Sequence, residues 1–478
     1  MSCPRLSLWR SYFLYFSKGV LTISQNQTLV RNLTNGSVSK QLITFAFPLL
    51  ISGFLQTAYN MVDMVIVGQF VNKSGLAAVS LGADILHLLT FIAMGFSSAG
   101  QVIIAQYVGA ERHEEISKLI GTLFTFLLSC AIIMTVVFFF LCDHLLVWIN
   151  TSADAMSYAH DYTIVCISGL FFIYGYNLVS AILRGMGDSV HPFMFIAVAA
   201  VLNMILDLVF VAGFNMGTFG AALATVIGQG VSFIWALVFF YRRKEQFGFD
   251  FKLKSFKIHK DVFAPLIKLG IPMVIQSAAI SISKLYVYSW INIYGTAATA
   301  VTGAGAKLST IANIFAQAMA TASAAMIGQC IGAEKFDRVS KVMSISFVLD
   351  LIVASLLSII IFLAPDAVFG MFTSESDVLS LAREFVPAAV LIFISCAFRA
   401  PMFALINASG NSILNLVSAI LDGFIARIGF SLIMGITLNM GIRGFWYGDA
   451  IAGYMPFVIG GIFYVSGKWK TRKHIIKD

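Results

Sequence analysis

Roughly twelve stretches of this chain stay apolar for about 20 residues or longer, the length a helix rising 1.5 Å per residue needs to cross a bilayer. They fall near 42–68, 76–103, 118–141, 160–183, 191–213, 218–240, 263–292, 298–328, 341–364, 385–407, 412–436 and 443–467. In hydrocarbon every backbone N–H and C=O must be satisfied within the protein, which leaves helices or a closed barrel. The residue-by-residue alternation of a barrel strand is absent, so the spans are read as helices. Composition agrees: 11% of the residues are charged, against the roughly 25% of a water-facing domain. The expected fold is an all-α polytopic membrane protein with twelve transmembrane helices.

The longest polar break, 241–260, divides the spans six and six. Internal repeats point the same way. Residues 104–118 align with 327–341 at an offset of 223, seven of fifteen positions being identical. Gly187, Asp188 and Ser189 meet Gly410, Asn411 and Ser412 at the same offset. Asn215, Met216, Gly217 and Gly220 meet Asn439, Met440, Gly441 and Gly444 at 224, as Pro48 meets Pro272. Six spans separate each pair, so the halves share one orientation, as pseudo-twofold-related six-helix bundles about an axis along the membrane normal. The organisation expected is an N-terminal extension (1–38), a first bundle (39–241), a basic linker (242–262), a second bundle (263–467) and a basic tail (468–478).

Twelve spans put both termini on one side. With the termini inside, twenty-four Lys and Arg fall in inner segments, against only Lys73, Arg383 and Arg443 outside. The positive-inside rule then makes both termini cytoplasmic, in a cell-membrane protein. The net charge of +8 faces anionic headgroups on this reading and is no nucleic-acid footprint. The first nineteen residues lack the apolar core and small-residue cleavage site of a signal peptide, so a short interfacial helix or a disordered extension is expected there. No cysteine pair forms a C-x-x-C, and the cysteines read as small buried hydrophobes. No H-E-x-x-H or G-x-S-x-G motif marks an enzyme, and no selectivity-filter motif or large extramembrane domain marks a channel or receptor. A monomeric transporter of small organic molecules, needing no cofactor beyond a coupling ion, is the class that remains.

Charges at membrane depth are where its chemistry is sought, since an ionised side chain in a helix core costs at least ~2.5 kcal/mol. The first half offers Asp63, Asp84 and Asp207, with Asn203 one helical turn before Asp207. Counting from the expected span ends, Asp63, Asp207 and Thr225 all lie ~9–11 Å below the outer surface. Two carboxylates, an amide and a hydroxyl at one depth form a pocket for a shared proton, or for the oxygen-seeking Na⁺. Pro48 and Pro272 each remove a backbone hydrogen bond and mark hinges in the first and seventh spans. The second half is basic instead, with Lys284, Lys307, Arg399 and Arg427 inside spans. Asp350 and Asp422 are the expected neutralising partners of Arg399. Lys307 is the repeat equivalent of Asp84 at offset 223, which makes the two a candidate salt bridge between the halves, closing the outer side.

Together, Pro48 with Val62-Asp63, Gln106-x-x-Gly109-Ala110, Arg184-Gly-Met-Gly187-Asp188 and their second-half counterparts resemble the multidrug and toxic compound extrusion (MATE) family, in its DinF-like prokaryotic branch. The resemblance runs from about Asn32 to Lys468. It implies the MATE/MOP-type fold and export of amphipathic, often cationic compounds in exchange for H⁺ or Na⁺. It also implies coupling residues at Asp63, Asn203, Asp207 and Thr225, and a further one at Asn177, although Asn177 stands only seven residues before Arg184 and therefore nearer the inner side. The NorM-like pattern of acids in the seventh and tenth helices is not met, because Lys284 and Arg399 stand in those helices. The alternative reading within the superfamily is a flippase for a lipid-linked saccharide, which a cationic cavity would favour.

Overall fold

A computed structural model describes residues 30–471 and 473–476. The N-terminal nineteen, read above as an interfacial helix or a disordered extension, lie outside the described residues. Twelve membrane-length spans follow one another: α1 (Val38–Phe70), α2 (Lys73–Gly109), α3 (His113–Trp148), α4 (Ala153–Ser168 with Leu170–Gly185, bent by 47°), α5 (Val190–Gly213), α6 (Gly217–Arg242), α7 (Lys260–Asn292), α8 (Thr296–Gly332), α9 (Phe336–Leu363), α10 (Ser376–Ser409), α11 (Ser412–Thr437) and α12 (Ile442–Val465). No strand occurs among the described residues. The chain is thus an all-α polytopic protein of two six-helix bundles.

Several helices outrun the apolar stretches that announce them. The second span is expected over 76–103, but α2 continues to Gly109. Its added turn carries Gln106 and Tyr107, too polar for lipid, and both are buried. The bend in α4 is likewise invisible to hydropathy. It falls at Gly169, where a Cβ would sit 2.5 Å from Val226 Cγ2, so α6 seats directly into the break.

The first helix of each half is shared between the bundles. Leu42, Phe45 and Ala46 of α1 belong to the buried cluster built on Met319, Ile327 and Leu405 of the second half. Further along, Ile66 and Val67 pack with Val79, Tyr162 and Val211 of the first. The reciprocal holds for α7: Leu266, Leu269 and Met273 join the first-half core, and Val287 and Ile291 the second. Pro48 and Pro272 stand in these helices near the crossover, where α1 and α7 nevertheless run unbroken.

At the end where α2 and α8 finish, here termed inner, the halves meet backbone to backbone. A Cβ on Gly109 would lie 2.0 Å from the carbonyl oxygen of Gln329, and one on Gly332 2.0 Å from that of Gln106. Gln106 Nε2 donates to the Ala408 carbonyl at 2.6 Å, and Gln329 Nε2 to that of Gly185 at 3.3 Å. The segment before α1 straps this seam. Arg31 N donates to Met186 O in the first half (2.9 Å), Leu33 N donates to Gln329 Oε1 in the second (2.8 Å), and Leu33 O accepts from Arg338 Nε (3.0 Å). From the other terminus, Ile475 and Ile476 are buried in the first-half core. The basic segment between α6 and α7 also docks, through Phe247 and Phe249 against Phe240 and Phe124.

Candidate ion and substrate site

Contacts between the halves continue from the inner seam to mid-helix, where Phe54 meets Phe315 edge-on at 5.6 Å and Gly53 lies against Ile314. Toward the outer end the halves carry Asp84 and Lys307. Both are exposed there and in electrostatic reach of one another, though no ion pair within bonding distance joins them among the described residues.

Two buried carboxylates lie within the first bundle. Asp63 comes from α1, seven residues before Phe70, and Asp207 from α5, six before Gly213. α1 packs on α5, and α5 on α6. Gly228 allows the second approach, since a Cβ there would stand 3.0 Å from the Ala199 carbonyl. Asn203 Nδ2 then reaches Thr225 Oγ1 at 3.3 Å, and that hydroxyl donates to its own helix at Ala221 O. Asp63, Asn203 and Asp207 are only 6%, 3% and 0% exposed. The two carboxylates are within electrostatic reach of one another, and both act on Tyr162.

Tyr162, Cys166 and Tyr59 complete the wall, and sequence reasoning passed over them. Tyr162 enters because α2 is a glycine opposite it: a Cβ on Gly82 would meet its ring at 2.4 Å. The available signal was spacing, as Tyr59 stands one turn before Asp63 on the same helix face.

What this pocket lacks is a donor bonded to its carboxylates. Asp63 Oδ1, Asn203 Oδ1 and both carboxylate oxygens of Asp207 are buried with no hydrogen-bond partner. Among the described residues no Lys, Arg or His pairs with either aspartate. Native proteins seldom leave buried acceptors unpaired, and an uncompensated buried charge is costlier still. A proton or a hard monovalent cation supplies what the four oxygens need. The residues fit such an ion. They do not fit a transition metal, for no group of three His, Cys, Asp or Glu occurs among the described residues. Asn177 is held within its own helix. Its amide donates to Ile173 O, one turn back on its own helix, at 2.9 Å.

The second half contains a different device. Arg427 is 2% exposed and pairs with two carboxylates, Asp422 at 3.2 Å and Asp449 in a closer contact. The expectation that Asp350 and Asp422 neutralise Arg399 is incorrect. Arg399 donates to Asn313 Oδ1 at 2.8 Å, while Asp350 accepts from Ser346 Oγ at 3.3 Å. The reason is a π-turn over Leu421–Ala426 in α11, which brings residues five apart onto one face and so turns Asp422 toward Arg427. Lys284, Tyr288, Asn313, Trp446 and Asp449 line a cavity of about 240 Å³ beside this cluster.

The MatE family model matches the sequence twice, over residues 48–209 and 272–433. The chain is 26% identical over 457 residues to the probable multidrug resistance protein YoeA of Bacillus subtilis, covering 94% of this chain and 98% of that protein. An outward-facing MATE family transporter of the MOP superfamily superposes with a TM-score of 0.85 at 20% identity, over 93% of this chain and 98% of its own. A MOP superfamily transporter from Pyrococcus furiosus, described as having a binding pocket of reverse polarity, gives 0.84 at 20% identity, over 95% and 99%.

Proposed function

The chain belongs to the MatE family of membrane transporters, and on that premise we propose that it exports amphipathic or cationic organic compounds in exchange for H⁺ or Na⁺. The observation that carries this reading is the set of buried, unpaired acceptor oxygens on Asp63, Asn203 and Asp207, with Thr225 fixing the amide. In the reading, Asp63 and Asp207 take up the ion from the outer side, where two adjacent carboxylates away from water cannot both keep their charge uncompensated. Ion entry neutralises the pocket and releases substrate, and alternating access follows from rocking of the two lobes, 39–241 and 263–467. The inner seam through Gly109 and Gly332 opens as Asp84 and Lys307 approach. Pro48 and Pro272 absorb the bend, because each frees a carbonyl where its helix passes from one bundle to the other. Asn177 is assigned no direct part. The same reading holds the protein to be a monomer of the cell membrane, with the 1–38 extension, the linker and the tail cytoplasmic.

A lipid-linked saccharide flippase would need a cationic cavity for its pyrophosphate. The pairing of Arg427 with two aspartates subtracts from that charge, which favours the antiporter.

Transport in proteoliposomes decides it, with pH and sodium gradients imposed separately on the parent, Asp63→Asn and Asp207→Asn. Gradient-driven efflux is expected in the parent under one gradient and lost in both variants. Efflux that survives in both removes the coupling assignment.

A further inference from the structure

The two matches of the family model begin and end at an offset of 224, from 48 to 272 and from 209 to 433. Carrying the first-half pocket across at that offset places Asp63 on Val287, Asn203 on Arg427, Asp207 on Ser431 and Thr225 on Asp449. Val287, Arg427 and Ser431 are, like their counterparts, almost fully buried, at 1%, 2% and 1%. The outer π-turn is repeated as well, Leu208–Gly213 in α5 answering Ile433–Thr437 in α11. The position is thus conserved by the fold while its chemistry is inverted. Where the first half presents unpaired acceptors, the second presents a guanidinium already held by Asp422 and Asp449.

The inversion has a visible origin. The repeat offset is 223 at Ser412 and 224 at Asn439, so α11 has gained one residue between them. A single inserted residue is absorbed in a helix as a π-turn, and the π-turn at Leu421–Ala426 lies in that interval. It supplies the second carboxylate, Asp422, that Arg427 needs beyond Asp449. Lys284 and Arg399 lie in electrostatic reach of Asp449 as well.

We infer that Arg427 is a tethered cation seated in the second half's copy of the ion pocket, so that only one exchangeable ion site is left in the transporter. The inference rests on the reading of Asp63 and Asp207 as that exchangeable site. Coupling is thereby confined to one lobe, and the other carries a permanent ion that no gradient displaces. Returning the first-half residue, Arg427→Asn, empties the guanidinium's seat between Asp422 and Asp449 and creates a second site for a small monovalent cation.

The test is thermal unfolding of the full purified chain in sodium, with choline as the balancing salt, at several pH values. Arg427→Asn is expected to gain a sodium- or proton-dependent rise in Tm. In sodium this amounts to about 1–2 °C per tenfold concentration above half-saturation. The gain should persist with Asp207→Asn added and vanish with Asp449→Asn added. A folded Arg427→Asn protein whose Tm follows cations no more than the parent's overturns the inference. If that variant does not fold, the reciprocal one decides. Asn203→Arg is expected to place a guanidinium between Asp63 and Asp207, erasing the parent's own ion dependence of Tm and its gradient-driven efflux. An Asn203→Arg protein that keeps both overturns it equally. The parent's own response to Asp63→Asn and Asp207→Asn reports on the first-half site separately, so the two readings fail independently.

Discussion

Gly109 of α2 runs so close to Gln329 of α8 that a Cβ would lie 2.0 Å from the Gln329 carbonyl oxygen. Backbone cannot swing aside as a side chain can, so Gly109→Ala must push the two helices apart. Overpacking of this kind costs about 1–3 kcal/mol, taken wholly from the inner-closed state. The expected result is a shift of the population toward inner-open, with Gly332→Ala doing the same. Cys330, next to Gln329 at this end of α8, is fully buried and serves as the reporter once the other cysteines are replaced. Its maleimide labelling should accelerate about tenfold or more in either variant. An unchanged rate would show that the seam closes without this contact.

Asp84 and Lys307 supply the converse measurement. Both are exposed and unpaired with one another while the inner seam is shut. A disulfide needs Cα atoms within about 7 Å. Cysteines at 84 and 307 should therefore crosslink poorly in the parent background and readily once Gly109→Ala has opened the inner end. Absence of a crosslink in both backgrounds removes the pair as an outer gate.

The two asparagines of the first half should behave differently. Asn203 has a buried, unpaired oxygen beside Asp207 and an amide held by Thr225. Losing it should raise the ion concentration for half-maximal transport about 5- to 10-fold, the loss of one ligand or hydrogen bond. Asn177 spends its amide on Ile173 O, so Asn177→Ala should change that concentration less than about twofold. Equal effects would place the ion lower in the bundle than Asp63.

Outside the membrane, the linker offers a pH test. The hydroxyl of Ser255 and the backbone N–H of Lys252 both donate to Asp250 and hold its carboxyl down at about 2. A carboxylate lowered in this way stabilises the docked linker above its ordinary titration range, and the contribution disappears as pH falls through about 2. Tryptic cleavage after Lys252 and Lys254 should accordingly be independent of Asp250 titration between about pH 6 and 9. Asp250→Asn should speed cleavage several-fold throughout that range. A variant cleaved at the parental rate would mean that the phenylalanines alone hold the linker.

How much of this was legible beforehand depended on which force set each feature. Lipid solvation fixes a span's existence, and every one of the twelve could be read from apolar length. It does not fix where helices end. Gln106 and Gln329 look like loop residues until the opposite half covers them. The acids at 63 and 207 stood out because hydrocarbon penalises them, but Tyr162 did not, since an aromatic ring is unremarked in such a chain. Arg399 was paired wrongly because a shared depth in the membrane does not tell which face of α11 carries Asp422. The one-residue slip in the repeat offset, from 223 at Ser412 to 224 at Asn439, was the sign of the π-turn. Extending that register would also have found Asp449 opposite Thr225, an acid that inspection of single spans overlooked.

The overlong helices bear on the speed of the cycle. α2 and α8 each contain 37 residues, about 55 Å of helix, against a hydrocarbon layer of about 30 Å. Gln106, Gly109, Gln329 and Gly332 occupy the last turn of each, so they stand beyond the oily layer, among headgroups and water. In the proposed cycle, the amides released from Ala408 and Gly185 find water at once. Had the same bonds lain at mid-bilayer, every opening would strand polar groups in hydrocarbon, and the protein would be trapped shut.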